Sequence, residues 1–164
     1  MDHTVYCRPN KPRTMAVTRR KEASVMTRPE LPQVIEVDQA SECHVTPGEV
    51  AARMVDYLGP VGDFLTLEPS AGTGNLIEAL YDAGHSRHEL VAIERHHRLC
   101  STIRNRFNGS HSIDPIQQCF LDYAEAAHGK IEYPRIIMNP PFRAVKKHLR
   151  AALRLLGCGG HDAA

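Results

Sequence analysis

Residues 68–80 read Glu68-Pro69-Ser70-Ala71-Gly72-Thr73-Gly74-Asn75-Leu76-Ile77-Glu78-Ala79-Leu80, and this stretch sets the fold class. The apolar run Phe64-Leu65-Thr66-Leu67 just ahead of it predicts a short buried strand, and the spacing after Asn75 predicts a helix that stops at Gly84. A strand, a glycine-bearing turn and a helix in that order open a parallel α/β unit. Gly72 and Gly74 let the backbone bend sharply and approach a ligand with no Cβ in the way. The free N–H groups of the helix start face the same spot. Two phosphate readings fail on the residues. A dinucleotide fingerprint needs a third glycine where Ile77 stands, and a nucleotide phosphate loop needs Gly-Lys-Ser/Thr where Asn75 follows Gly74. Glu68 at the mouth repels phosphate and suits an amino group. The expected ligand is therefore nucleoside-like and cationic or zwitterionic.

Outward from the turn, Leu90-Val91-Ala92-Ile93 predicts a second strand with Glu94 at its end. A carboxylate there can accept hydrogen bonds from both ribose hydroxyls of a nucleoside. Further on, Arg135-Ile136-Ile137-Met138 predicts a buried strand that runs into Asn139-Pro140-Pro141-Phe142. The two prolines end the strand and stiffen the loop, which lies at the carboxyl end where open α/β sheets bind ligands. Its fixed carbonyls, the Asn139 side chain and the flat ring of Phe142 suit a planar group bearing an NH2, such as the Watson–Crick edge of adenine. A plain Asn-Pro turn is the ordinary alternative. Upstream, Thr46-Pro47-Gly48-Glu49 predicts a helix start capped by Thr46, with Val50, Met54 and Leu58 on one apolar face and Gly59-Pro60 as the stop.

In this order (Thr46-Pro47 helix, EPSAGTGN turn, Glu94, NPPF loop), residues 45–160 resemble the S-adenosylmethionine-dependent N6-adenine DNA methyltransferases. The glycine turn alone fits many methyltransferases; its combination with NPPF narrows the resemblance to amino-group methylation. The resemblance implies a Rossmann-like methyltransferase fold, a parallel α/β sheet flanked by helices, with strands near residues 64, 90, 116 and 136 in the order three-two-one-four. It implies S-adenosyl-L-methionine as cofactor, held by Thr46, Glu68, Ser70, Gly72, Gly74, Asn75, Glu94 and Phe120. Asn139, Pro140 and Phe142 become the catalytic loop, into which a target adenine would be flipped from duplex DNA.

The chain departs from that family in two places. Where members carry Asp-Phe-Leu at the end of the third strand, it has Cys119-Phe120-Leu121; Asp122 follows three residues later, on the opposite side of an alternating strand. After the loop, Val145, Leu149, Leu153 and Leu156 make one helical stripe and Arg143, Lys147, Arg150 and Arg154 another, on a helix expected to run to about residue 156. The expected fold then lacks the C-terminal strands. An apolar sheet edge after residue 138 would lie exposed, which calls for a homo-oligomer or a partner chain to cover it.

Composition agrees with an ordinary globular protein. The chain has 164 residues, 20 Lys+Arg, 19 Asp+Glu and a hydrophobic fraction of 42%, which leaves room for one domain and a tail. Residues 1–42 read as a basic, flexible N-terminal tail, and residues 43–164 as the partial methyltransferase domain. Within residues 1–28 there are seven basic and two acidic side chains, with Arg19-Arg20-Lys21 as a weak phosphate-binding candidate. No apolar signal core or membrane span is present, and an odd count of five cysteines points to free thiols in the cytoplasm. His96-His97-x-x-Cys100, with Cys43-His44, has the residue types of a metal site but not its paired spacing, so no metal is expected. Two other functions compete: an inactive remnant that binds nucleic acid or a partner protein, and a methyltransferase for a protein glutamine amide. The second usually carries Tyr where Phe142 stands.

Overall fold

A computed structural model describes residues 13–17, 33–37, 45–62 and 64–157. The chain divides into two compact units, residues 1–43 and 44–164. In the first unit, β1 (Arg13–Val17) and β2 (Gln33–Val37) pair antiparallel, with Arg13 opposite Val37 and Val17 opposite Gln33. Regular pairing thus stands inside the segment read from sequence as a tail. Each strand is only five residues long, too short to show sustained periodicity, yet Val34, Ile35 and Val37 are β-branched and favour extended backbone. Arg19-Arg20-Lys21 lies outside the described residues.

The second unit is an α/β layer structure. Its elements are α1 (Gly48–Leu58), β3 (Thr66–Glu68), α2 (Asn75–Asp82), β4 (Leu90–Ala92), α3 (His97–Arg106), α4 (Phe120–Ala127), β5 (Arg135–Ile136) and α5 (Val145–Leu155). The three strands form a parallel sheet in the order β4-β3-β5. Ile116 adds one parallel bridge to Ile93 on the outer side of β4. The expected succession of residues 116, 90, 66 and 135 across the sheet is therefore present, with the third strand reduced to a single bridge. Pro115 removes a ladder donor there, and Gln117 and Gln118 offer nothing to bury.

Both faces of the sheet are covered, so Thr66, Leu67 and Glu68 of the central strand are all buried. Alternate side chains feed opposite cores. Leu67 and Ile93 pack with Phe120, Ala124, Ala127, Ala152 and Leu155 from α4 and α5. On the other face, Ile137 packs with Ala51, Val55, Leu76 and Leu80, and Ala92 with Ile77, Ile103 and Phe107.

Three local expectations change. Helix α1 starts at Gly48 with Pro47 as its N-cap and no side-chain cap bond, so Thr46 does not cap it. Its buried residues are Ala51 and Val55, and Met54 and Leu58 of the expected stripe pack against them half-buried, whereas Val50 is exposed: the packed face is shifted so that Val50 falls outside it. The third change concerns α5. It buries His148, Ala152 and Leu155, and leaves Val145, Leu149, Leu153 and Leu156 between 40% and 59% exposed. Small Ala152 admits close packing on α4 and the sheet, which turns the bulkier leucines outward. Leu156 leaves the helix and bridges Tyr133 in parallel, so the start of the edge beyond β5 is already paired.

Candidate functional site at the carboxyl ends of the central strands

β3 ends on Glu68, and the turn through Ser70–Gly74 delivers the chain into α2. The Ala71 N–H donates to the Ile93 carbonyl at 2.9 Å, and the Ile93 N–H to the Glu68 carbonyl at 2.8 Å, which stitches the turn onto the end of β4. Gly72 and Gly74 both take positive φ, 57° and 85°. At Gly74 the glycine is required twice over: the backbone is left-handed, and a Cβ would sit 2.7 Å from the Phe107 ring. Packing under the turn, as well as access above it, therefore accounts for that residue. Ser70 is half-buried on the same turn.

Glu94 lies 7% exposed at the end of β4. One carboxylate oxygen accepts the Gly72 N–H and the other the His96 N–H, each at 2.8 Å. Burial pushes its pKa up, while the two backbone bonds oppose the shift by favouring the ionised form. Glu68 is more deeply buried, at 4% exposure, and its Oε2 has no hydrogen-bond partner. Burial first, and the charge of Glu94 second, raise its pKa well above the usual carboxylate range. We assign the ionised state to Glu94, which has the donors, and the retained proton to Glu68. Ionised Glu94 gives the site beneath the turn a negative charge that favours a cation, and Glu68, whose Oε2 has no partner, becomes a further acceptor for a donor that displaces its proton.

The loop after β5 reaches the same end of the sheet. The Ile137 N–H donates to the Leu67 carbonyl at 3.0 Å, fixing Asn139 and Pro140 just beyond the central strand. Phe142 is exposed at the start of the short turn Phe142–Ala144. Thr46 joins the two crossings. Its carbonyl accepts from Asn75 Nδ2 at 2.7 Å, and its hydroxyl accepts from Asn139 Nδ2 at 3.0 Å. The bond to Thr46 uses the donor end of the Asn139 carboxamide and leaves Oδ1 as its acceptor.

Not every expected site residue gathers here. Phe120 is a core residue at the start of α4, its ring 5.6 Å from that of His148. Cys119 is the N-cap of the same helix, and Asp122 is exposed on its first turn. The thiol of Cys100 donates to the Glu94 carbonyl at 3.3 Å, and its pKa is pushed to about 11 by burial first and by nearby Glu94. Among the described residues no three His, Cys, Asp or Glu side chains come together as metal ligands; Cys43 and His44 lie outside those residues.

One contributor was not legible in the sequence. Arg106, the last residue of α3, reaches back to the glycine turn: Nη1 donates to the Thr73 carbonyl at 2.8 Å and to Asn75 Oδ1 at 2.6 Å, and Nη2 pairs with Glu78. Nothing in its own helix distinguishes it from the neighbouring exposed Arg104. No family model matches this chain, and no curated protein matches it significantly.

Proposed function

We propose that residues 43–164 are a Rossmann-like S-adenosylmethionine-dependent methyltransferase domain acting on the exocyclic N6 of adenine in DNA. The observation that carries this reading is the convergence on Thr46, which brings the glycine turn (through Asn75) and the Asn-Pro-Pro loop (through Asn139) to one residue. The buried carboxyls fit the cofactor: Glu68 has an unpartnered acceptor for its amino group, and Glu94 stands where ribose hydroxyls can donate. When bound, S-adenosyl-L-methionine supplies an electrophilic methyl group on a cationic sulfur. Gly72, Gly74, Ser70 and Asn75 would line its amino-acid end.

The chain's own contribution is mostly positioning. An exocyclic amine is a weak nucleophile because its lone pair delocalises into the ring. Asn139 Oδ1 and the Pro140 carbonyl accept its two hydrogens and favour a pyramidal nitrogen whose lone pair is available. Acceptors that suit the reacting geometry better than the flat base act on the barrier itself. Phe142, exposed beside them, offers a face for the base. No strongly basic side chain is required, since the nitrogen becomes acidic as it is methylated.

DNA as substrate is supported by Lys146, Lys147, Arg150 and Arg154, all exposed on α5, which carries no acidic residue. The exposed Leu149 and Leu153 on the same helix support a second copy or a partner chain at that side of the sheet. No helix among the described residues is long and apolar enough to cross a membrane. Cys100 and Cys119 are free thiols, which suits the cytoplasm. The test is transfer of a labelled methyl group from S-adenosylmethionine to duplex DNA. Wild type should label adenine N6, and Asn139→Ala should lower kcat on the order of 10²–10³-fold, as for other oriented hydrogen-bond partners. Labelling of a protein acceptor in place of DNA, or unchanged transfer by Asn139→Ala, would overturn the assignment.

A further inference from the structure

We infer that Arg106 is the positioning residue that locks the glycine turn and, through Asn75 and Thr46, the amine-binding loop; its catalytic consequence rests on the methyltransferase reading above. The side chain is only 5% exposed, and its guanidinium meets three acceptors drawn from two elements: the Thr73 carbonyl, Asn75 Oδ1 and the Glu78 carboxylate. A guanidinium donates and never accepts. Asn75 must therefore present its oxygen to Arg106, which turns its NH2 group the other way. That group donates to the Thr46 carbonyl at 2.7 Å, and the Thr46 hydroxyl accepts from Asn139 at 3.0 Å. Glu78, Arg106, Asn75, Thr46 and Asn139 so form one polar chain from the end of α3 to the loop after β5. The orientation of Asn75 is fixed from both sides, by the donor-only guanidinium of Arg106 and the acceptor-only carbonyl of Thr46.

A simpler role would be charge neutralisation, with Arg106 present because Glu78 is partly buried. The two roles separate on the shape of the donor. Lysine supplies the same charge as a point, whereas serving Thr73, Asn75 and Glu78 together takes a planar fork. Arg106→Lys should therefore keep the ion pair and the thermal midpoint yet lose the lock. Glu78→Gln with Arg106→Met removes both charges at once, so no unpaired buried carboxylate is left to unfold the protein.

The test uses the full chain in two readouts. In ligand-free protein, amide hydrogen exchange at residues 70–76 and 139–142 should quicken about tenfold or more in Arg106→Lys and in the double variant, with exchange in β4 and α4 unchanged. Calorimetry with S-adenosylmethionine should show Kd weakened about ten- to a hundredfold in both variants at an unchanged midpoint, and kcat lowered as well. Wild-type exchange in both segments, or full rescue by lysine, would overturn the inference and leave a structural ion pair. Quickened exchange in a protein whose wild type binds no S-adenosylmethionine would uphold the positioning role and overturn the methyltransferase reading instead.

Discussion

Glu68→Gln tests the electrostatics of the site through two opposed pH slopes. The Glu68 carboxyl is buried beside an ionised Glu94, and both effects, burial the larger, hold its proton on above the usual carboxylate range. In the unfolded chain the proton leaves at the ordinary value. Across the interval between the two, the native state binds a proton that the unfolded state has released, so stability falls as pH rises through it. One such group gives at most about 1.4 kcal/mol per pH unit. Glu94 adds a contribution of the same sign, because its pKa is also raised. A cationic amino group reverses the preference, since it needs the carboxylate and expels the proton on binding. Cofactor affinity should therefore rise with pH over that interval, by at most about tenfold per unit for one proton. Urea denaturation and calorimetry at a series of pH values above the ordinary carboxylate range read the two slopes, and calorimetry in buffers of different ionisation enthalpy counts the proton released. Glu68→Gln should flatten the stability slope and remove the proton release. It should also weaken binding by on the order of ten- to a hundredfold, the range for a lost charge-assisted hydrogen bond. Equal pH slopes in wild type and Glu68→Gln would refute the buried-carboxyl reasoning.

Two further outcomes follow from the packing. Gly74→Ala combines a left-handed backbone with a Cβ 2.7 Å from the Phe107 ring, so it should destabilise the second unit by about 1–3 kcal/mol, read as a lower urea midpoint. If α5 docks a second copy, wild type should sediment as a larger species with increasing concentration, and Leu149→Glu with Leu153→Glu, both on the exposed stripe, should sediment as monomer with unchanged thermal stability. A wild-type monomer at every concentration would overturn self-association through α5.

The positions of the strands were legible because each strand and turn is encoded locally, whereas their order across the sheet was an expectation from the family resemblance. Leu65-Thr66-Leu67 and Leu90-Val91-Ala92 are short, mostly apolar runs, and the double proline at 140–141 bounds the segment that holds β5 without reference to anything distant. Helix faces were less legible. In α1 and α5 the apolar residues cover a wide arc, and the choice between neighbouring stripes falls to the element packed against them. Ala51 and Ala152 won over bulkier Val50 and Leu149 because close approach needs small side chains. Thr46 shows the limit in the site. Its position before Pro47 reads as a cap, yet its hydroxyl is drawn to Asn139, 93 residues away in sequence. Arg106 is the same case at 31 residues from Asn75. A periodicity reports burial; it carries no information on which distant acceptor a buried donor will find.

The most direct measurement is amide chemical-shift mapping of the full chain during titration with S-adenosylmethionine. Shifts are expected in residues 68–75 and, through Thr46, at Asn139 and Phe142 in the same titration, saturating with one dissociation constant. Shifts confined to either segment alone, or none at millimolar ligand, would contradict a single site built from the glycine turn and the diproline loop.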